Sequence, residues 1–165
     1  MVVMGIDPGS QITGYGMVSI AAGEAPRYIA CGAIRTSSRD DFSARLKQIY
    51  DEVADLIAAH QPDQAALEEI FYARNARSSL LLGQARASAV LAALNSGVPV
   101  FSYTPAEVKL AVTGRGNAAK EQVRYMVVQL LGVTFTGESL DVSDALAIAL
   151  CHALRWQSGS RATRS

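Results

Sequence analysis

The first strand-like run of the chain ends in a carboxylate, and this acid limits how the chain can fold. Apolar and small residues, Val2–Ile6, lead to Asp7, and a Pro-Gly pair then stops an extended strand. Gly14 and Gly16 follow where a returning strand would begin. A carboxylate at the end of a buried strand is costly unless a metal ion, a basic residue or backbone N–H groups compensate it. Asp7 is therefore a candidate functional residue, and the alternative is a turn-forming role before Pro-Gly.

Length and composition are those of one well-cored domain. The chain has 165 residues, of which 50% are hydrophobic and 18% are charged, a balance typical of globular proteins. We predict a single domain over residues 1–157 and a disordered tail, rich in Ser, Gly and Arg, over 158–165. No apolar run is long enough to span a membrane, the N-terminus lacks the pattern of a signal peptide, and the two cysteines are isolated. We therefore expect a cytoplasmic protein without a membrane partner.

Charge is unevenly distributed although the formal net charge is zero. Residues 1–72 carry five basic and ten acidic side chains, whereas residues 73–130 carry seven basic and two acidic ones. Residues 131–165 are balanced. A basic middle third favours a surface for a polyanion such as a nucleic acid. Charge alone is explained equally well by ordinary solvated helix faces.

The order of the apolar patterns predicts the fold. Three strand-like runs are separated by turns short enough for hairpins, and helical spacing follows, interrupted by two more short strands. The expected strands are Val2–Ile6, Gly14–Ile20, Tyr28–Arg35, Ala65–Glu68 and Val98–Tyr103. The expected helices are Phe42–Ile57, Leu80–Asn95, one opened by Thr104-Pro105, one over Ala118–Leu131 capped by Asn117, and Asp141–Trp156. This is the order of an α/β, ribonuclease H-like fold: a mixed five-stranded sheet, order 3-2-1-4-5, with helices on both faces.

In that sheet, acids from two separate stretches meet at one edge. The first and fourth strands are parallel neighbours at the point where the strand order reverses, and open α/β sheets bind ligands there. Asp7 ends the first strand, and Glu68 or Glu69 ends the fourth. The residue pattern does not choose between the two glutamates, and either one alone would be an ordinary solvated charge.

Asp141 and Asp144 add two carboxylates from the first turn of the last helix. Their spacing puts them on one helix face, although a helix cap explains that pair alone better than a metal does. Four converging carboxylates cannot all ionise without a cation, and hard oxygen ligands suit Mg²⁺ or Mn²⁺. Two such ions, about 3.5–4 Å apart, are suited to phosphodiester hydrolysis. No set of Cys and His residues offers a zinc site.

Seven short motifs, in this order, resemble those of the RuvC family of Holliday-junction resolvases over nearly the whole chain. They are G-I-D-P-G-S at Gly5–Ser10, L-E-E-I-F at Leu67–Phe71, A-R-N at Ala73–Asn75, L-G-Q-A-R at Leu82–Arg86, Y-T-P-A-E-V-K at Tyr103–Lys109, G-R-G-N-A-A-K at Gly114–Lys120 and D-V-S-D-A-L-A-I-A at Asp141–Ala149. Any one motif is weak, but the ordered set is specific. The resemblance implies a Mg²⁺-dependent endonuclease that nicks opposed strands of a four-way DNA junction and leaves 5′-phosphate and 3′-hydroxyl ends.

The resemblance also assigns the acidic site. The family's catalytic and metal-binding acids fall on Asp7, Glu68, Asp141 and Asp144, with two Mg²⁺ ions expected and Mn²⁺ as the alternative. The family pattern selects Glu68 because its acid lies three residues before a loop phenylalanine. Glu69 is then an additional acid beside the site.

DNA contacts are expected from the basic middle third. The resemblance implies that Phe71 inserts between bases or stacks on them, and that Lys109 and Lys120 lie near the scissile phosphate. Without the resemblance, both lysines would be ordinary solvated side chains. The turn at Gly114–Asn117 presents backbone N–H groups at a helix start, which is an arrangement that binds phosphate. The full set of expected DNA-binding residues is Phe71, Arg74, Asn75, Arg77, Lys109, Arg115, Asn117 and Lys120.

Partners follow from the same resemblance. The family is homodimeric, and a two-fold symmetric dimer matches the symmetry of a four-way junction. The apolar helix Leu80–Asn95 is a candidate dimer surface, although the fold also offers it a place as a core helix. The resemblance further implies the RuvA and RuvB branch-migration complex as a partner.

Two other functions agree with parts of the sequence. The stretch Gly5–Gly16 resembles the phosphate-binding hairpin of sugar kinases and actin-like ATPases, but those proteins duplicate the domain and need a second glycine-rich motif. The other alternative is a non-catalytic junction-binding module of the same fold, and the four intact acids argue against it.

Overall fold

A mixed five-stranded sheet forms the centre of the computed structural model, which describes residues 1–69, 75–134 and 140–162, without the side chains of 140 and 160–162. The strands are β1 (Val2–Asp7), β2 (Ile12–Ser19), β3 (Arg27–Arg35), β4 (Gln64–Glu68) and β5 (Val100–Tyr103). The helices are α1 (Phe42–His60), α2 (Ala76–Asn95), α3 (Pro105–Thr113), α4 (Lys120–Leu131) and α5 (Leu140–Ala162). The strand order is β3-β2-β1-β4-β5, so the predicted order 3-2-1-4-5 is confirmed.

Strand β1 has one antiparallel and one parallel neighbour. Its pairing with β2 places Asp7 opposite Gly14, and its pairing with β4 aligns Ile6 with Leu67. Strand β4 pairs in parallel with β5, and β2 pairs antiparallel with β3. The parallel pair of β1 and β4 is therefore the point where the strand order reverses.

Helices cover both faces of the sheet and enclose two apolar clusters. Successive side chains of a strand point to opposite faces, so Val3 lies in the cluster with α3, α4 and α5, and Met4 lies in the cluster with α1 and α2. Both side chains are fully buried. Burying a side chain of this size stabilises a fold by about 1.5–3 kcal/mol.

Glycines in β1 and β2 let α5 approach the sheet at backbone distance. A Cβ atom on Gly5 would collide with the carbonyl oxygen of Ala145, and one on Gly14 would collide with the carbonyl oxygen of Asp141. The fully buried Ala145 and Ala149 complete this close contact from the helix side. The glycines of the first hairpin therefore set the distance between α5 and the two strands.

Helix α2 begins at Ala76 rather than at the predicted Leu80. The Asn75 side chain caps the helix by accepting the backbone N–H of Ser78 at 3.1 Å. The first turn is polar, and apolar periodicity alone therefore did not reveal it. The predicted start of this helix is therefore wrong by four residues.

The helix cap predicted at Asn117 is wrong. Helix α4 begins at Lys120, with Ala119 as the preceding cap residue and no side-chain capping hydrogen bond. The chain first makes a turn in which the Ala118 N–H donates to the Arg115 carbonyl oxygen at 3.2 Å. This turn delays the start of the helix.

Helix α5 continues beyond the predicted end at Trp156 and reaches Ala162. Residues 158–162, which the sequence predicted as part of a disordered tail, are therefore helical. The Gln157 side chain holds this end by donating to the carbonyl oxygens of Ala21 and Glu24, in the turn between β2 and β3. Among the described helices, none is both long and apolar enough to cross a membrane.

Candidate active site

Two carboxylates end neighbouring parallel strands. Asp7 is the last residue of β1 and Glu68 is the last residue of β4, and the residues that precede them are paired with each other. Both side chains are partly buried. Glu69 is exposed, and its backbone N–H donates to the Tyr103 carbonyl oxygen on β5 at 2.8 Å. Strand geometry therefore brings Glu68 to the edge where Asp7 lies.

Helix α5 brings two further carboxylates to the same edge. Asp141 and Asp144 lie at its N-terminal end, and the Asp141 backbone rests on Gly14, the residue paired with Asp7. Asp7 interacts electrostatically with Asp144, Glu68 and Asp141. The structure thus brings all four predicted acids together.

The metal-free acids influence one another's protonation. Burial, with added repulsion from Asp144, Glu68 and Asp141, raises the pKa of Asp7 from 3.8 to about 7. Burial also raises the pKa of Glu68, and Asp144 adds to this shift. The positive charge of Lys120 lowers both pKa values without cancelling either shift. Without a metal, Asp7 therefore keeps its proton up to near-neutral pH.

Lys109 and Lys120 line a cleft beside the acids. The Lys120 ammonium donates to Asp144 Oδ2 at 3.1 Å, and this contact raises the pKa of Lys120. Lys109 is partly buried and acts on Glu68 through its charge. The cleft walls also include five apolar side chains, those of Pro105, Val108, Val123, Ala147 and Ile148. Acids, cations and apolar surface thus share one depression.

The four carboxylates are ligands of the type that a hard divalent cation prefers, although their oxygen atoms are not arranged around a single point. Within residues 1–69, 75–134 and 140–162, no three Asp, Glu, His or Cys side chains form a ready-made metal site. Four carboxylates with Lys120 as their ion-paired counter-charge nevertheless leave an excess of negative charge. Carboxylate oxygens are the ligands that Mg²⁺ and Mn²⁺ prefer. Burial first, and repulsion from the other three acids second, raise the pKa of Asp7, and a bound cation would offset both effects.

Four expected DNA-binding residues lie in the stretch of chain from α3 to the start of α4, and two of them line the cleft. Arg115 and Asn117 are exposed in this connection, and Lys109 and Lys120 flank it on α3 and α4. Because Asn117 does not cap α4, its side chain is not committed to that role.

Two of the other expected DNA-binding residues, Asn75 and Arg77, lie at the start of α2. The oxygen of the Asn75 side chain caps the helix, and Arg77 is exposed in its first turn. Phe71 and Arg74 lie outside the described residues.

Arg45, which the sequence analysis did not single out, supports the turn that follows Asp7. This side chain of α1 is only 9% exposed. Its guanidinium donates to the Ser10 carbonyl oxygen and, at 3.2 Å, to Thr36 Oγ1. An arginine at an apolar position of an amphipathic helix is the signal that would have revealed it.

A buried histidine joins α5 to the two parallel strands β4 and β5. The Tyr103 hydroxyl donates to His152 Nδ1 at 2.6 Å, and His152 Nε2 donates to Gln64 Oε1 at 2.5 Å. Burial lowers the pKa of His152 and so favours the neutral ring. The histidine therefore serves as a structural link.

Comparisons with known proteins identify the family. A family model described as crossover junction endodeoxyribonuclease RuvC matches residues 3–152. A relative of that name from Chlorobium phaeovibrioides is 48% identical over 161 residues, which are 98% of this chain and 85% of the relative. Among solved structures, T. thermophilus RuvC in complex with Holliday junction substrate is similar with a TM-score of 0.90 and 36% identity, over 97% of each chain.

A more distant structure shares the fold. The yeast mitochondrial Holliday junction resolvase Ydc2 is similar with a TM-score of 0.68 at 14% identity, over 98% of this chain and 82% of that one. The family match and the relatives both extend over nearly the full length, from β1 into α5. The chain therefore belongs to the RuvC family of crossover junction endodeoxyribonucleases.

Proposed function

We propose that the protein resolves Holliday junctions as a structure-selective endonuclease, nicking two opposed strands and leaving 5′-phosphate and 3′-hydroxyl ends. The main support is the meeting of four acids, Asp7, Glu68, Asp141 and Asp144, at one edge of the sheet. An ordinary strand-end carboxylate would be solvated, whereas burial and repulsion from the other three acids raise the pKa of Asp7 to about 7. Membership of a junction-endonuclease family points to four-way DNA as the substrate.

The four acids are proposed to hold two Mg²⁺ ions, with Mn²⁺ as the alternative. When bound, such ions lower the pKa of a water molecule and stabilise the leaving oxygen of a phosphodiester. The chain itself supplies ionised oxygens, and Asp7 gives up the proton that burial otherwise keeps. Apolar side chains, including those of Val108 and Ile148, line the same cleft.

Lys109 and Lys120 are proposed to offset the charge of the scissile phosphate. Lys120 is also the first residue of α4, and the N-terminal N–H groups of a helix favour an anion. Contacts of this kind give binding that weakens as salt increases. The other proposed DNA contacts are Phe71, Arg74, Asn75, Arg77, Arg115 and Asn117.

The outer face of α2 supports a homodimer as part of the proposal. Leu80, Leu91 and Leu94 are 65%, 53% and 52% exposed, and they lie on one face of the helix with the exposed residues 84 and 87. Ala85 and Ala89, on the opposite face, are fully buried against the sheet. A second copy packed on this apolar stripe would give a two-fold dimer with two active sites for a two-fold junction. The RuvA and RuvB complex is proposed as a further partner.

The proposal includes a single catalytic domain over residues 1–157 and a cytoplasmic location. One apolar cluster contains both Val3 of β1 and Ala153 of α5, so the first and last elements share a core. This supports one folding unit from β1 to the end of α5.

Cleavage of a labelled synthetic four-way junction in Mg²⁺ tests the proposal. The wild-type protein should nick opposed strands, while a linear duplex of the same sequence stays intact. Four single variants should each lose nicking and keep junction binding: Asp7→Asn, Glu68→Gln, Asp141→Asn and Asp144→Asn. Glu69→Gln is the matched control, because it makes the same chemical change at the neighbouring, exposed position. Full cleavage by Asp7→Asn would rule out the mechanism, and equal cutting of the linear duplex would rule out structure selectivity.

A further inference from the structure

A guanidinium group bridges the C-terminal ends of β4 and β5 and contacts the backbone of Glu68. Arg86 of α2 donates from Nε to the Glu68 carbonyl oxygen at 3.2 Å, and from Nη2 to Ser102 Oγ at 2.6 Å. Its neighbours Ala85 and Ala89 are fully buried in the apolar cluster that α2 shares with α1 and one face of the sheet. None of the salt bridges formed by the described residues involves Arg86. Its hydrogen bonds go to the strand ends instead.

Strand register explains why the Glu68 carbonyl needs this donor. Along a parallel strand, alternate residues direct their backbone groups to alternate neighbours. The Ala65 N–H donates to the carbonyl oxygen of Pro99, just before β5, and the Glu69 N–H donates to that of Tyr103 in β5, so the backbone of Glu68 faces β1. Continuing the register of Ile6 with Leu67 by one residue places Glu68 beside Asp7. In a parallel pair, the donor to the Glu68 carbonyl would then be the residue after Asp7, which is Pro8. Proline has no N–H group, and the strand pairing therefore leaves this carbonyl without a donor.

We propose that Arg86 is a positioning residue for Glu68. Its guanidinium supplies the hydrogen bond that Pro8 cannot, and its second bond to Ser102 fixes the direction from which it does so. The backbone of the last residue of β4 is thereby held, and the carboxylate is held with it. Arg86 acts through Glu68 and makes no contact with DNA in this proposal. The inference rests on the proposed function, because Glu68 is one of its four acids.

Three variants separate positioning from simple charge. Arg86→Gln removes the charge and the bridge, Arg86→Lys keeps the charge but not the two-pronged geometry, and Ser102→Ala removes only the second bond. Arg39→Gln, at an exposed position before α1, is the control for loss of one positive charge. Each protein is assayed for single-turnover junction cleavage over a range of Mg²⁺ concentrations. Junction affinity is measured separately in EDTA at several salt concentrations.

Arg86→Gln should cleave about 10–100-fold more slowly at saturating Mg²⁺ and need a higher Mg²⁺ concentration for half-maximal rate, because a small misplacement of a catalytic group has effects of that size. Arg86→Lys should be intermediate, and Ser102→Ala should lose less than Arg86→Gln. Junction affinity in EDTA and its salt dependence should stay at the wild-type values for all three. The rise in melting temperature on adding Mg²⁺ without DNA should shrink in Arg86→Gln and remain in Arg39→Gln.

Two results would overturn the inference. Wild-type cleavage and Mg²⁺ dependence in Arg86→Gln would show that Glu68 does not depend on the bridge. A flatter salt dependence of junction binding in Arg86→Gln, with normal Mg²⁺ dependence, would make Arg86 a phosphate contact instead. Should Arg86→Gln fail to fold, Ser102→Ala and Arg86→Lys still decide, because unchanged Mg²⁺ dependence in both would reject the proposal. Failure of the proposed function is distinguishable, since the wild-type protein itself would then not cut junctions.

Discussion

Replacing Asp7 by Asn should stabilise the metal-free protein at alkaline pH while abolishing cleavage. In the folded protein the pKa of Asp7 is about 7, compared with 3.8 for an unperturbed aspartate. Between these values the folded state binds a proton that the unfolded state has lost, so stability falls as pH rises from about 4 to about 7. About one pH unit above the folded-state pKa both states are ionised, and the loss is nearly complete. An asparagine at position 7 carries no charge at any of these pH values, so the variant does not lose this stability as the pH rises.

The interval between 3.8 and about 7 gives the magnitude. At about 1.36 kcal/mol per pK unit, the ionised carboxylate costs the folded state up to about 4 kcal/mol at pH 8. Asp7→Asn should therefore be more stable than wild type by up to that amount at pH 8. The difference should shrink steadily towards pH 4.

Urea unfolding in EDTA at pH 4.5, 6 and 8, followed by circular dichroism, measures the difference. Asp55→Asn, at an exposed position of α1, controls for the loss of one negative charge. A repeat in Mg²⁺ at pH 8 should stabilise the wild-type protein more than Asp7→Asn, because the variant lacks one of the four proposed ligands. An Asp7→Asn advantage that is absent, or identical at all three pH values, would refute the reasoning.

Three further outcomes are expected. Gly14→Ala should push α5 away from the sheet, destabilise the protein by about 1–3 kcal/mol in urea unfolding and slow cleavage. Gly83→Ala is the control, because a Cβ atom at Gly83 meets open space and should not destabilise the protein. Equal effects of the two substitutions would contradict the close contact at Gly14. Leu91→Asp should convert a dimer into a monomer in analytical ultracentrifugation, with Leu110→Asp, at an equally exposed position of α3, as the control; a persistent Leu91→Asp dimer would exclude the α2 face. Lys120→Met should slow cleavage about 100-fold and reduce the salt slope of junction binding by about 1, and an unchanged rate would remove Lys120 from the site.

The features that could be predicted from the sequence depend on short stretches of chain. Alternation and turns defined the strand order, and this order placed Asp7 and Glu68 side by side. The start of α3 is also a local signal, because the Thr104 side chain accepts the Glu107 N–H and the Glu107 carboxylate accepts the Thr104 N–H. The choice of Glu68 over Glu69 required the family resemblance. The two glutamates are adjacent at the end of a strand, and the sequence pattern alone does not show which of them points to the site.

The features that escaped prediction join residues far apart in the chain. Gly14 is tight because the Asp141 backbone lies on it, and Arg86 matters because it reaches the end of β4. Neither contact has a local pattern. A polar first turn also hides the start of a helix from a prediction based on apolar spacing. Helix α2 was therefore predicted to begin later than it does, because Asn75, a polar cap residue, precedes its first turn.

The hydrogen bonds of His152 prevent α5 from sliding along the sheet. Apolar packing alone tolerates a shift of one helical turn, about 5.4 Å, because similar side chains then replace one another. Such a shift would separate His152 from both Tyr103 and Gln64 and leave buried polar groups unpaired. Asp144 lies eight residues earlier on the same helix, a distance of about 12 Å along its axis. A contact outside the acidic cleft thus fixes the longitudinal position of the acids that α5 carries.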